Sequence, residues 1–302
     1  MSLDALLELA GDRAIPHASL AGLTTYRVGG AARVLLTLES LEDLAELGPS
    51  LRACGLAIVV IGNGSNLLVA DGEHEIVAIR LGAGFAGLDW FDDHDVVVVR
   101  AGAALDLPIA ARRLAADGVV GFEWAVGVPG TFGGAVAMNA GGHGSDMAAS
   151  VVSVTLWREE LVRLAAADLH FGYRESALKP GDVVVEVTLH LRRGDPATAR
   201  AALSDVVAWR RVHQPGGANA GSVFRNPPGD SAGRLIESVG AKGLRHGSAV
   251  VSDKHANFIQ VDAGGRANDV YELARDVAAR VREVTGVDLV LEHRLVGFGG
   301  SR

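Results

Sequence analysis

Cysteine is nearly absent: Cys54 is the only one in 302 residues. A single thiol excludes an internal disulfide and a cysteine-rich metal cluster, and it fits a reducing cytoplasm. Positive charge is also in short supply, since 28 Lys and Arg face 36 Asp and Glu for a net charge of −8. Nucleic acids and anionic membrane surfaces are held by clustered cations, so neither is expected as a partner. The N-terminal "MSLDALLELAGDR" has no basic leader, and Asp4 and Glu8 interrupt its apolar residues. It reads as a short amphipathic helix and not as a signal peptide. Residues 124–145, "WAVGVPGTFGGAVAMNAGGHGS", lack Asp, Glu, Lys and Arg altogether. Glycine and proline break that stretch repeatedly, and it has no bulky aliphatic run of the kind a membrane span requires.

Several catalytic signatures are missing as well. Neither glycine-rich loop carries a P-loop lysine, there is no HExxH, and no serine has the spacing of a hydrolase nucleophile elbow. "DDHD" (92–95) lies between "DWF" and "VVVVR" and reads as a solvated hairpin turn, not as a metal site. No internal repeat or low-complexity tail is visible.

What is present is a chain with 49% hydrophobic residues, enough for a sizeable core. Its length suggests two domains or three small ones. "ARVLLTLE" (32–39) reads as a strand, after which Ser40 caps a helix carrying Leu41, Leu44, Leu47 and Leu51. "LAIVVIG" (56–62) reads as a buried strand, and "EIVAIRL" and "DVVVVRAG" as two more. "ALDLPIAARRLAADG" is helical and stops at Gly118. Strands are expected near 150–157 and 182–192, joined through "FGYRES". Asp195–Pro196 opens a helix with a cap and a proline at its first position. "HQPGGANAG" ends that helix near Arg211. Beyond it come a short helix (232–239), a strand "NFIQV", a helix of about 269–284 closed by Gly286, and a last strand "DLVLEHRLVG". The pattern is α+β or α/β.

Two glycine clusters could carry a ligand. "AIVVIGNGSNLLV" delivers a strand into Gly62–Asn63–Gly64–Ser65–Asn66, where main-chain amides could face a phosphate. A Rossmann loop would need glycine where Leu67 stands, then a long helix, and "LLVADGEHEI" supplies neither. "GVPGTFGGAVAMNAGG" is the second cluster, with Gly127, Gly130, Gly133, Gly134, Thr131 and Asn139. Two such loops suggest a large phosphate-bearing ligand. Arg174, in "FGYRES", is either a carboxylate or enolate partner or a surface ion-pair residue. Glu292 and Arg294 share one side of an extended segment, with Leu289, Leu291, His293 and Leu295 on the other. Ser222, in "GSVFRNP", is either a turn residue or a hydroxyl presented to a substrate.

Seven motifs, in this order, resemble the UDP-N-acetylenolpyruvoylglucosamine reductase family: "TTYRVGGAA", "GNGSNLLV", "GFEWAVGVPGTFGGAVAMNAGG", "FGYRES", "RRVHQPGGANAGSVFRNP", "SDKHANFI" and "LEHRLVG". The resemblance runs from about residue 20 to about 298. It implies an α+β chain with an FAD-binding fold of the vanillyl-alcohol-oxidase type in two subdomains, 1–80 and 81–194. The strand 287–302 would return to the first, and an α+β substrate-binding domain would occupy 195–286. It further implies non-covalent FAD, NADPH as reductant, and conversion of UDP-N-acetylglucosamine enolpyruvate to UDP-N-acetylmuramate for peptidoglycan. Carried onto matching positions, Ser222 is the proton donor, and Arg174 and Glu292 stabilise or polarise the enolate-like intermediate. FAD contacts fall to Tyr26, Arg27, Gly62, Asn63, Gly64, Ser65, Asn66, Leu67, Gly127, Val128, Pro129, Gly130, Thr131, Gly134, Asn139, Gly141 and Arg294. Substrate contacts fall to Tyr173, Arg210, Arg211, Gln214 and Asn226, and no metal is implied.

The chemistry agrees with those roles. Hydride addition beside a carboxylate leaves charge on its oxygens, where a guanidinium is worth most. Serine is a weak acid, but an enolate carbon is strongly basic, so position outweighs acidity. The chain departs from the family at His143, where many members have tyrosine, and at His293, where a small aliphatic is common. Only "ALKPG" follows "YRES", so the chain resembles the short subclass without a tyrosine-bearing insert. Two other classes are a flavin-dependent sugar or alcohol oxidase and a non-catalytic nucleotide-sugar binding module.

Overall fold

The computed structural model describes residues 3–299. Contacts divide them into two units. The first takes the N-terminal residues to Pro16, Arg33–Asn63 and Glu75–Arg210, and the second takes His17–Ala32, Gly64–His74 and the chain from Arg211 onward. The expected boundary at residue 195 thus falls inside the first unit, because the helix Pro196–His213 stays with it as far as Arg210. Residues 300–302 of the expected returning strand lie outside the described residues.

A four-stranded sheet runs in the order Ala14–Ser19, Ala31–Leu38, Glu73–Leu81, Ala57–Val60. The helix Leu41–Ala53 follows Ala31–Leu38 because Ser40 and Asp43 form a reciprocal capping box. Its Leu44, Leu47 and Leu51 join Val34, Leu36, Val77 and Ile79 in one apolar cluster. Ala57–Val60 is not the buried strand its composition suggests. It pairs in parallel with Glu73–Leu81 at the sheet edge and leaves Val60 39% exposed.

A larger antiparallel sheet completes the first unit, in the order Leu161–Ala165, Val151–Trp157, Val183–Arg193, Val96–Gly102, Leu88–Asp93. Val99 opposite Leu189 and Ala101 opposite Val187 set its inner face. The helix Leu107–Ala116 buries Leu107, Ala110, Ala111 and Leu114 in the same cluster and ends before Gly118, whose φ is +68°. "DDHD" makes the turn between Leu88–Asp93 and Val96–Gly102, and no metal-ligating group of three side chains occurs among the described residues.

In the second unit, the helix Ala267–Thr285 buries Val270, Leu273, Val277 and Val281. These side chains cluster with Leu235 and Ile236 of the helix Ala232–Ser238 and with Ala249, Val251, Ile259 and Val261 of a three-stranded sheet. Gly286, at φ +74°, ends the long helix as read from sequence. The last strand is far shorter than "DLVLEHRLVG" suggests: only Arg294–Val296 pairs as a strand, in parallel with Leu67–Val69. The residues before it still alternate, with His293 buried and Arg294 exposed.

Candidate functional site

In the second unit, "GSVFRNP" is held from two sides. Phe224 bridges Leu291, with Glu292 N–H donating to the Val223 carbonyl (2.8 Å) and Arg225 N–H to the Val290 carbonyl (2.9 Å). This antiparallel geometry turns Phe224's own N–H and C=O to the opposite edge. There the buried Asn257 side chain answers both. Its Oδ1 accepts from Phe224 N–H (2.9 Å) and its Nδ2 donates to the Phe224 carbonyl (2.8 Å). The Asn257 carbonyl accepts from Val223 N–H as well (2.9 Å). Upstream, Gly221 takes φ +77° and donates to Asn219 Oδ1. Ser222 is half-buried at the start of this clamped segment, and its hydroxyl makes no hydrogen bond to the described residues. Ser222 and Glu292 are therefore brought together through the main chain. Asn257 was missed by sequence reasoning, although an asparagine inside the apolar run "HANFIQV" was a signal for a buried amide with a task.

The first unit brings its glycine loops together. Thr131 bridges Asp106, Leu107 N–H donates to the Gly130 carbonyl, and Phe132 N–H to the Leu105 carbonyl. Asn63 Nδ2 donates to Asp106 Oδ1 at 2.6 Å. A Cβ at Gly62 would collide with the Thr131 hydroxyl, so glycine is required where the loops meet. Thr131 also caps the short helix Phe132–Ala137, accepting from Gly134 N–H. Gly127 gives its carbonyl to the Arg210 guanidinium, whose basicity burial lowers. Val128 is half-buried and Pro129 exposed beside it.

The loop Gly62–Asn66 crosses into the second unit after Asn63. Gly64, at φ +58°, packs on the backbone of Leu23 and Thr24, and Ser65–Asn66 form a turn closed by Leu67 N–H on the Gly64 carbonyl. The amides of Gly64, Ser65 and Asn66 have no acceptor among the described residues. Asn66 Nδ2 donates to the Glu292 carbonyl (3.0 Å), which ties this loop to the other candidate motif of the unit.

"FGYRES" lies between the strands Val151–Trp157 and Val183–Arg193, as read from sequence. Tyr173 and Arg174 are the two central residues of a tight turn closed by Gly172 and Glu175, well before the strand Val183–Arg193. A strand, Leu161–Ala165, and a short helix, Ala166–Leu169, also intervene after Val151–Trp157. Arg174 takes φ +60°, a conformation that costs a non-glycine residue on the order of 1–3 kcal/mol and is kept where the surroundings demand it. Its Nη2 donates to the Gly141 carbonyl (3.0 Å), and its guanidinium lies 5.6 Å from the Tyr173 ring centre. Asn139 supports the same turn: its Nδ2 donates to the Gly172 carbonyl and to Asp146, while Oδ1 accepts from Ala148 N–H. Its side chain is thus fully committed within the chain.

The remaining expected residues divide by exposure. Tyr26 and Leu67 are buried, whereas Arg27, Arg211, Asn226 and Arg294 are exposed and Gln214 is half-buried. Asn226 Oδ1 accepts from Ala232 N–H at the start of a helix. The Tyr26 ring stands edge-on to His293, 5.5 Å between centres, and burial raises its hydroxyl well above the usual phenol range. Burial pushes the His293 imidazole down to about 4, with the Ala220 main chain opposing weakly. His143, exposed at a hairpin turn, stands edge-on to Trp209.

Neutral amides without acceptors in one loop, and glycine-dependent close packing of the two loops, suit the pyrophosphate of a dinucleotide. Comparison with known proteins agrees. Residues 32–160 match the FAD binding domain family, and residues 213–296 match the C-terminal domain of UDP-N-acetylenolpyruvoylglucosamine reductase. A solved structure described as wild-type Phl p 4.0202, a glucose dehydrogenase, matches at a TM-score of 0.50 and 14% identity, over 70% of this chain and 49% of that one. That likeness concerns the fold alone. The chain therefore has an FAD-binding fold of the vanillyl-alcohol-oxidase type with a C-terminal α+β domain, and it is an FAD-dependent oxidoreductase.

The UDP-N-acetylenolpyruvoylglucosamine reductase of Acidiphilium cryptum is 42% identical over 286 residues, 92% of this chain and 90% of that one. The crystal structure of UDP-N-acetylenolpyruvylglucosamine reductase from Thermus caldophilus matches at a TM-score of 0.79 and 38% identity, over 92% and 97% of the two chains. This chain belongs to the UDP-N-acetylenolpyruvoylglucosamine reductase family. Among the described residues, no helix is long and apolar enough to cross a membrane.

Proposed function

We propose that this chain reduces UDP-N-acetylglucosamine enolpyruvate to UDP-N-acetylmuramate at the expense of NADPH, with Ser222 as the proton donor. The observation that carries the reading is the Ser222 hydroxyl: uncommitted, accessible, and fixed on a backbone segment bonded directly to the Glu292 amide. A turn serine needs no such anchorage. FAD, when bound, supplies the hydride. The glycine loops Gly62–Asn66 and Gly127–Gly134 would hold it, through main-chain amides and the Thr131 side rather than through charged groups.

The chain's own residues manage charge and proton. Hydride arriving at the enolpyruvyl methylene carbon leaves an enolate-like carboxylate, and Arg174 is assigned to its oxygens. Its positive φ and its bond to Gly141 hold the guanidinium ready, so little reorganisation is needed on binding. Ser222 then delivers its proton to the carbon bearing the carboxylate, and Glu292 polarises that exchange. Tyr173, Arg210, Arg211, Gln214 and Asn226 are the candidates for substrate contacts.

An anaerobic cycle tests the reading. NADPH should bleach the bound flavin, and UDP-N-acetylglucosamine enolpyruvate should restore its absorbance without oxygen, one equivalent per flavin. Restoration by oxygen alone would make the chain an oxidase, and a colourless protein would make it a binding module.

A further inference from the structure

Ser222 is not placed by its own side chain, which bonds to none of the described residues. Its position is set downstream, along Val223–Phe224–Arg225. One edge of that segment is fixed by residues 290–292. The other is held by Asn257, whose main-chain carbonyl accepts from Val223 N–H and whose carboxamide bonds both the N–H and the C=O of Phe224, as a neighbouring strand would. Asn257 is 3% exposed and Phe224 2%, so water cannot take over these bonds if they are lost. Asn257 is itself held, its N–H donating to His255 Nδ1 (3.2 Å). Only one orientation of the carboxamide pairs donor with acceptor at both Phe224 groups, so a side chain lacking either a donor or an acceptor leaves one unanswered.

We propose that Asn257 is a positioning residue for proton delivery: by locking the Phe224 main chain it fixes the Ser222 hydroxyl relative to Glu292. This rests on the reading that Ser222 is the proton donor. Asn257 touches no reacting atom in this scheme, and its effect passes through the backbone.

Asn257→Asp keeps the size and the acceptor for Phe224 N–H but, as a carboxylate, loses the donor to the Phe224 carbonyl. Asn257→Ala loses both. Each would be purified with FAD, and the two half-reactions followed by anaerobic stopped-flow, NADPH first and then UDP-N-acetylglucosamine enolpyruvate. Flavin content and reduction by NADPH should stay near native values. Reoxidation by substrate should slow by roughly 10–10²-fold, the scale of a misplaced catalytic group. Added to Ser222→Ala, Asn257→Asp should slow reoxidation little further, because the group it positions is already gone.

Native reoxidation in both Asn257 variants would overturn the proposal. So would equal slowing of both half-reactions, an undiminished effect in the Ser222→Ala background, or failure of both variants to fold, since each makes Asn257 a residue of stability only. Ser222→Ala alone separates the two ideas. If it reoxidises normally, the serine reading itself fails; if it is slow while Asn257→Asp is fast, only the positioning role fails.

Discussion

His293 illustrates how a single side chain couples the core of the second unit to pH. The imidazole is 6% exposed, and its Nε2 has no hydrogen-bond partner among the described residues. Charging it inside this apolar cluster is costly, which is why its pKa falls from 6.5 to about 4. Above pH 6.5 the residue is neutral in folded and unfolded chains alike, and its contribution to stability is fully present. Between pH 6.5 and about 4 only the unfolded chain takes up the proton, so stability falls with pH, by about 3 kcal/mol across the window. Below that both states are protonated and the loss stops growing. His293→Val should remove this share of the acid sensitivity, while the shift at His255, also lowered chiefly by burial, remains in both proteins. Urea midpoints measured from pH 7 to pH 4 check it: parallel curves for the two proteins would contradict the assignment. The sequence showed His293 on the inner side of its segment, but its meeting with Tyr26 is long-range and left no local trace.

At the scale of the element, the helix Ala267–Thr285 begins without a side-chain cap of its own, its N-cap position being Arg266. Asp71, from the loop after Leu67–Val69, takes that place: its carboxylate accepts from Ala267 N–H (3.1 Å) and Asn268 N–H (3.2 Å) and pairs with Arg266. Asn268 Oδ1 returns a bond to Asp71 N–H. A negative group at a helix N-terminus satisfies free amides and meets the positive end of the helix dipole. Asp71→Ala should therefore destabilise the second unit by roughly 1–2 kcal/mol, and Asp71→Asn by less, since an acceptor remains. Equilibrium denaturation reads both, and an unchanged Asp71→Ala would show that the cap is idle. Caps borrowed from a distant loop are invisible in sequence. Local ones are legible: the Ser40 box, Asp195–Pro196 and Gly286 all act where they were read. Structure and sequence pattern diverge where backbone pairing departs from composition. "FGYRES" is a two-residue turn with arginine at positive φ, which no residue pattern announces. "LAIVVIG" is apolar yet lies at a sheet edge, and "DLVLEHRLVG" alternates like a strand while pairing through a single bridge, Phe224 to Leu291, before Arg294.

At the scale of the whole molecule, the family was legible because seven short motifs stand in register along the chain, although each glycine loop alone is unspecific. Those loops offer amides and a hydroxyl, and the sole cysteine, Cys54, lies on the helix Leu41–Ala53 side and donates to the Leu51 carbonyl. With FAD held by these loops and not by a covalent bond, acid precipitation should release all of the yellow colour to the supernatant. Colour held in the pellet would contradict this. Delivery of the proton by a serine in the C-terminal part of the chain is tested most directly by a single turnover. Prereduced enzyme would be mixed anaerobically with UDP-N-acetylglucosamine enolpyruvate and the return of flavin absorbance followed, native chain against Ser222→Ala. Reduction by NADPH should be unaffected in the variant, while reoxidation should slow by ~10⁴-fold or more, the upper end of general acid catalysis, with Ser222→Cys recovering part of the rate. Reoxidation of Ser222→Ala at the native rate would reduce Ser222 to a turn residue.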